Sequence, residues 1–148
     1  IIDGLKVAYL PGRMQKVFYR NLEVILDVAH NPHAVKYLSE KISSMPTKIN
    51  KAIFAIQQNK DLNGIVRASA NIIDEWQVIG TKAPKAINPE VLRDNMQSLL
   101  SAAKINICNS IREYVDSLIG NTTVRLVVFG SFYTVAKVIE ELELDIHT

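Results

Sequence analysis

Apolar runs of strand length alternate with segments whose apolar residues recur at helical spacing. This alternation, repeated along nearly the whole chain, constrains the fold more than any other feature. Val24-Ile25-Leu26 reads as a buried strand, and Val35, Leu38, Ile42 and Met45 follow on one helical face. Ala52-Ile53-Phe54-Ala55-Ile56 is the next strand, and Leu62, Ile65, Val66, Ile72 and Ile73 give a second amphipathic helix. Gln77-Val78-Ile79 precedes a third helix, for which Asn88 is the expected N-cap and Pro89 the first-turn residue. Its apolar face holds Val91, Leu92, Met96, Leu99 and Leu100. Ile105-Asn106-Ile107 is a weak strand, and Ile111, Tyr114, Val115 and Leu118 mark a fourth helix stopped at Gly120-Asn121. Val124 to Phe129 is the clearest buried strand, and Phe132 to Leu144 closes the chain as a helix. Shorter strands are expected at Leu5 to Leu10 and Gln15 to Tyr19, around a Pro11-Gly12 turn. Such alternation predicts an α/β domain: Rossmann-like and three-layered, with a mostly parallel twisted sheet flanked by helices.

A chain of 148 residues fits one domain, 1–148, with no internal repeat and no long linker. Its 17 basic and 15 acidic residues are too balanced and too scattered for a nucleic-acid binder. The single cysteine, Cys108, excludes an internal disulfide framework and points to a reducing, cytoplasmic setting. No apolar run approaches the roughly 18 residues that span a bilayer, so no membrane partner is expected. The chain opens Ile1-Ile2-Asp3 without a methionine, which reads as a piece of a longer protein.

In open α/β sheets, ligands gather beyond the carboxyl ends of the strands. Two such places stand out. The first is Asp27-Val28-Ala29-His30-Asn31-Pro32-His33, where Asp27 and His30 fall on the rim and Asn31-Pro32 suits a helix start. A carboxylate there suits ribose hydroxyls and a histidine suits a polar substrate; an acidic strand end before a capping turn is the simpler alternative. The second is Phe129-Gly130-Ser131-Phe132-Tyr133-Thr134, where a strand gives way at once to a helix whose first amides favour anions. Ser131 as a plain N-cap accounts for the same residues. Arg13 in Pro11-Gly12-Arg13 offers a planar fork for phosphate or carboxylate, or is a solvated turn residue. Asn59-Lys60-Asp61 is a fourth candidate, with Asp61 equally readable as a helix cap. Cys108 reads as a small core residue, and three histidines with one cysteine lack metal-ligand spacing, so no metal site is expected in this chain. There is no Gly-x4-Gly-Lys-Ser/Thr loop, no Gly-x-Gly-x-x-Gly fingerprint and no Gly-x-Ser-x-Gly elbow. The chain therefore does not read as an autonomous nucleotide hydrolase.

Four motifs occur in order: Pro11-Gly12-Arg13, Ile25-Leu26-Asp27-Val28-Ala29-His30-Asn31-Pro32-His33-Ala34, Asn59-Lys60-Asp61, and Phe129-Gly130-Ser131-Phe132-Tyr133-Thr134-Val135-Ala136. Together they resemble the carboxy-terminal domain of folylpolyglutamate synthase, in the bacterial form that is also dihydrofolate synthase, within the Mur ligase superfamily. Gln57-Gln58-Asn59 depart from the glycine and apolar residues of that pattern, and Tyr133 stands where it often has histidine. The resemblance implies a Mur ligase C-terminal domain fold and a partner ATPase domain, amino-terminal in the same polypeptide, that carries the phosphate loop and the Mg2+ ligands. It implies the small-molecule substrates ATP, L-glutamate and dihydropteroate or folate. Arg13 and Asp27 would contact ATP, and His30 and Ser131 would bind glutamate; no residue of this chain is assigned a certain catalytic role, and the chain alone is expected to be inactive. A wall-building Mur ligase and a non-catalytic α/β binding module are the alternatives.

Overall fold

The computed structural model describes residues 14–146. The expected Leu5 to Leu10 strand, the Pro11-Gly12 turn, Arg13 and His147 lie outside the described residues.

Six strands form one sheet in the order β1-β2-β6-β3-β4-β5. They are β1 (Gln15–Tyr19), β2 (Leu22–Leu26), β3 (Ile49–Phe54), β4 (Glu75–Val78), β5 (Lys104–Ile107) and β6 (Val124–Phe129). Edge strand β1 pairs antiparallel with β2 through a tight turn in which Arg20 takes a positive φ of 56°. All other pairings are parallel. Five helices connect them: α1 (Pro32–Ser43), α2 (Leu62–Ser69), α3 (Pro89–Leu99), α4 (Ile111–Asp116) and α5 (Phe132–Leu142).

Because strand side chains alternate between faces, each central strand feeds two cores. Ile25, Ala52, Phe54, Val127 and Phe129 pack with α1, α2 and α3. Val24, Leu26, Ile53, Leu126 and Val128 pack with α4 and α5. An aromatic cluster sits in the first core, with Phe54 and Phe129 centroids 5.0 Å apart and Trp76 edge-on to Phe54 at 5.5 Å. The expected three-layer α/β architecture is therefore the observed one.

Boundaries differ from expectation in several places, among them the ends of β2, β4 and α4, which shift by about two residues. The third strand covers Ile49–Phe54, earlier than the expected Ala52 to Ile56, because Asn50 and Lys51 join the ladder beside β4 and β6. Helix α2 stops at Ser69, short of Ile72 and Ile73, whose amides both turn back onto the Ser69 carbonyl. Helix α5 stops at Leu142, where Glu143 adopts the left-handed conformation with φ 54° and Leu144 N–H bonds the Ile139 carbonyl.

Strands β2 and β6 are neighbours, yet α1 leaves β2 toward one core and α5 leaves β6 toward the other. Adjacent strands whose connections part to opposite faces open a crevice beyond their carboxyl ends, where α/β proteins bind ligands.

Candidate functional site

The crevice is stitched together by backbone bonds. Asp27 N–H donates to the Val128 carbonyl at 3.0 Å, and Gly130 N–H donates to the Ala29 carbonyl at 3.0 Å. The two sequence motifs, 103 residues apart at Asp27 and Gly130, are thus directly bonded to one another.

Asp27 is 1% exposed. Its Oδ2 accepts the Met14 N–H at 3.0 Å and its Oδ1 accepts the Ala29 N–H at 2.8 Å. Asp27 therefore anchors the backbone at Met14, immediately after Arg13. Arg13 itself lies outside the described residues. His30 is exposed, with Nδ1 3.1 Å from the Val28 carbonyl oxygen. A carbonyl only accepts, so Nδ1 is the donor of this bond. Asn31 caps α1 through its Oδ1, which accepts the Ala34 N–H at 2.8 Å, with Pro32 at the first turn.

On the β6 side, Gly130 has φ 123°, a region that L side chains rarely adopt. A Cβ there would collide with the Ala55 carbonyl oxygen, so only glycine lets the β6–α5 turn lie against the end of β3. Ser131 is the N-cap of α5: its Oγ accepts the Thr134 N–H at 3.1 Å. Thr134 is fully buried and its hydroxyl donates to the Ala55 carbonyl at 3.1 Å. Sequence reasoning did not single out Thr134; the Ser-x-x-Thr spacing was visible, but its bond to Ala55, 79 residues away, was not. The first amides of α5 that no cap satisfies have no partner within the helix.

The remaining candidates separate from this centre. Asp61 caps α2, its Oδ1 accepting the Gly64 N–H at 2.9 Å. Gln57 and Gln58 bond the backbone of Pro84 and Lys85, tying that loop to the segment before α3. His33 is exposed and lies with Lys36 and Arg67 along a groove of about 750 Å3 between α1 and α2. Cys108 is half-buried, and burial pushes its thiol up despite a hydrogen bond from the Ser110 backbone and the nearby Lys137 charge. Among the described residues no group of three or more His, Cys, Asp or Glu could hold a metal ion. Among the described residues no helix is long and apolar enough to cross a membrane.

Two charged clusters were also missed. Glu23, Arg125 and Asn50 lie side by side on β2, β6 and β3, toward the amino ends of the strands. Arg125 Nε donates to Glu23 Oε2 at 3.0 Å, and its amino groups reach Asn50 Oδ1 at 3.2 Å and the Pro46 carbonyl at 2.7 Å. Burial alone would raise the Glu23 carboxyl, but hydrogen bonds and charge from Lys48 and Arg125 outweigh it and hold it below the usual range. Lys51, Glu75 and Lys104 make a similar row on β3, β4 and β5, and the two lysines with Gln77 hold Glu75 low against the same burial penalty. Both rows support the sheet away from the crevice.

Comparison with known proteins agrees with the motifs. The family described as "Mur ligase, glutamate ligase domain" matches residues 12–132. The dihydrofolate synthase/folylpolyglutamate synthase of Buchnera aphidicola subsp. Schizaphis graminum is 36% identical over 136 residues, covering 91% of this chain and 32% of that protein. A crystal structure of a bifunctional folylpolyglutamate synthase/dihydrofolate synthase with Mn, AMPPNP and L-glutamate bound is 30% identical, with TM-score 0.74 over 95% of this chain and 34% of the other. The Mycobacterium tuberculosis folylpolyglutamate synthase complexed with ADP shares the fold at 20% identity, with TM-score 0.77 over 91% of this chain and 33% of that one. The chain spans about a third of the length of the curated relatives it matches, and in them it corresponds to the carboxy-terminal part.

Proposed function

The chain belongs to the Mur ligase glutamate ligase domain family, and from that premise we propose that it is the carboxy-terminal domain of an ATP-dependent folate ligase. The reaction joins L-glutamate to a pteroate or folate carboxylate by an amide bond. The observation that carries this reading is the direct bonding of the Asp-Val-Ala-His-Asn-Pro-His and Gly-Ser-Phe motifs across the β2–β6 crevice. Solved relatives 30% identical to this chain hold ADP in one case and AMPPNP with L-glutamate in another.

In the proposed chemistry ATP phosphorylates the folate-side carboxylate to an acyl phosphate. The glutamate nitrogen then bonds to the acyl carbon, the C–O bond to phosphate breaks with its electron pair leaving on phosphate, and the amine gives up a proton. An acyl phosphate hydrolyses, so water must be excluded while the amine is held in line. A domain that closes over an ATPase domain of the same polypeptide meets both needs.

Arg13 brings a guanidinium to the nucleotide phosphates. Asp27 anchors the segment that follows Arg13, and its carboxylate is the group that meets the ribose. His30 and Ser131 seat the incoming glutamate. Mg2+, which such a reaction uses to neutralise phosphate charge, is held by residues outside this chain, and nothing here depends on it.

The test is the ATP Michaelis constant of the full-length ligase. Arg13→Ala is expected to raise it about tenfold or more, the loss of one charge-assisted contact. Asp27→Asn keeps one acceptor and loses the other, so it raises the same constant and lowers thermal stability. Unchanged ATP kinetics in both variants would refute the assignment.

A further inference from the structure

The cations along the sheet are engaged: Lys16, Lys48 and Arg125 converge on Glu23, and Lys51 and Lys104 on Glu75. Lys36 and Arg67 have no ion pair or side-chain hydrogen bond among the described residues, and both are exposed and line the groove between α1 and α2. Glu40 lines it too, paired with neither, so the groove keeps an excess of positive charge. Two contacts set its width. The Pro32 ring lies over Gly64, where an added Cβ would come 2.6 Å from Pro32 Cγ. Further along, Ser39 Oγ donates to the Ala68 carbonyl at 2.6 Å. The groove holds about 750 Å3 and runs beside α1 from Pro32 and His33 to Ser43, about 15 Å at the helical rise. Its mouth at Pro32-His33 directly follows His30 and Asn31 of the crevice rim.

A long, narrow, cationic groove that opens at the reaction crevice suits an extended chain bearing several carboxylates. The ligase reaction makes such a chain: each turnover consumes one carboxylate of the acceptor and adds the two of glutamate, so a product that returns as acceptor carries a growing row of them. We propose that the α1–α2 groove holds the acidic tail of an acceptor that already bears several glutamates, with Lys36 and Arg67 pairing its carboxylates while the tail's reacting end lies in the crevice. The inference rests on the ligase reading above and deepens it by naming the acceptor class that this surface selects. A single glutamate is too short to follow a groove of this length, so the contacts act on tailed acceptors and not on dihydropteroate. Both cations stay solvated, which makes each contact modest and sensitive to salt.

The experiment uses the full-length ligase and two acceptors: dihydropteroate, which carries no glutamate, and a triglutamyl folate. Lys36→Gln with Arg67→Gln is expected to raise the KM for the triglutamyl acceptor about 3- to 10-fold, and less at high salt. The KM values for dihydropteroate, ATP and L-glutamate should stay within about twofold. Glu40→Gln removes the opposing charge and should lower the triglutamyl KM, a change of sign that a merely structural role would not give. A triglutamyl KM that does not move in the double variant would overturn the proposal. So would an equal rise for both acceptors, which would place the groove against the ATPase domain. If the double variant does not fold, Lys36→Gln alone and Glu40→Gln read the same opposite shifts. A wild-type enzyme that uses dihydropteroate but refuses the triglutamyl folate overturns the proposal and leaves the ligase reading standing. A wild-type enzyme silent with every acceptor would instead sink the ligase reading itself.

Discussion

Replacing Arg125 with methionine tests how the sheet is held together. Arg125 is 1% exposed and makes three polar contacts: Glu23 Oε2 at 3.0 Å, Asn50 Oδ1 at 3.2 Å and the Pro46 carbonyl at 2.7 Å. Methionine fills much of the space but donates to none of them. One buried acceptor, Asn50 Oδ1, then loses a donor, at about 1–3 kcal/mol, while Pro46 is exposed and its carbonyl can turn to water. Glu23 loses one cation but keeps Lys48 at 2.9 Å, which limits its own penalty. Breaking a buried pair by removing one partner costs about 3–5 kcal/mol, and the retained Lys48 places Arg125→Met within that range, not above it. For a domain of this size that is a fall in Tm of about 6–20 °C. The assay is urea and thermal unfolding of the 148-residue chain, followed by circular dichroism. Adding Glu23→Gln to Arg125→Met should cost less than the sum of the single changes, because the two share one interaction. A single-variant loss below about 1 kcal/mol, the range of an exposed ion pair, would show that the network is solvated and the reasoning wrong.

Other outcomes follow from the same geometry. Gly130→Ala places a Cβ against the Ala55 carbonyl at φ 123°; a stability loss of more than about 2 kcal/mol is expected in chemical unfolding, and a neutral result would contradict the close packing of the rim. Glu23 and Glu75 both have carboxyls held below their unfolded value of 4.5. Their contribution to stability is full above that value and lost as pH falls through the lower folded value. Tm should therefore drop on acidification below about pH 4.5, and Glu23→Gln with Glu75→Gln should flatten the drop; a parallel drop in the double variant would assign acid lability elsewhere. Asn31→Ala removes the cap of α1 and should cost about 1 kcal/mol, read by the same unfolding curves.

The parts legible in the sequence are those whose chemistry is local. Asn31-Pro32 and Asn88-Pro89 announce helix starts because a cap is made within three residues, and both caps are present. The Val124 to Phe129 segment, apolar but for Arg125, reads as a strand buried on both faces. Long-range pairings were not legible. Asn50 and Lys51 look like loop residues until β4 and β6 stand beside them. Glu23 and Arg125 are 102 residues apart and meet only once β2 and β6 are neighbours. The same holds at the site. Asp27, His30 and Ser131 were candidates from their place after the strands, but the hold of Asp27 on Met14 and of Thr134 on Ala55 comes from the third dimension.

The central claim is that this domain completes a ligase site whose other half lies elsewhere in the same polypeptide. The most direct measurement is phosphate release dependent on ATP and L-glutamate with dihydropteroate as acceptor, for the 148-residue chain and for the full-length gene product side by side. Release by the full-length protein alone is the expected result. Release by the isolated chain would mean that it holds a complete nucleotide site. Silence from both would contradict the folate ligase reading.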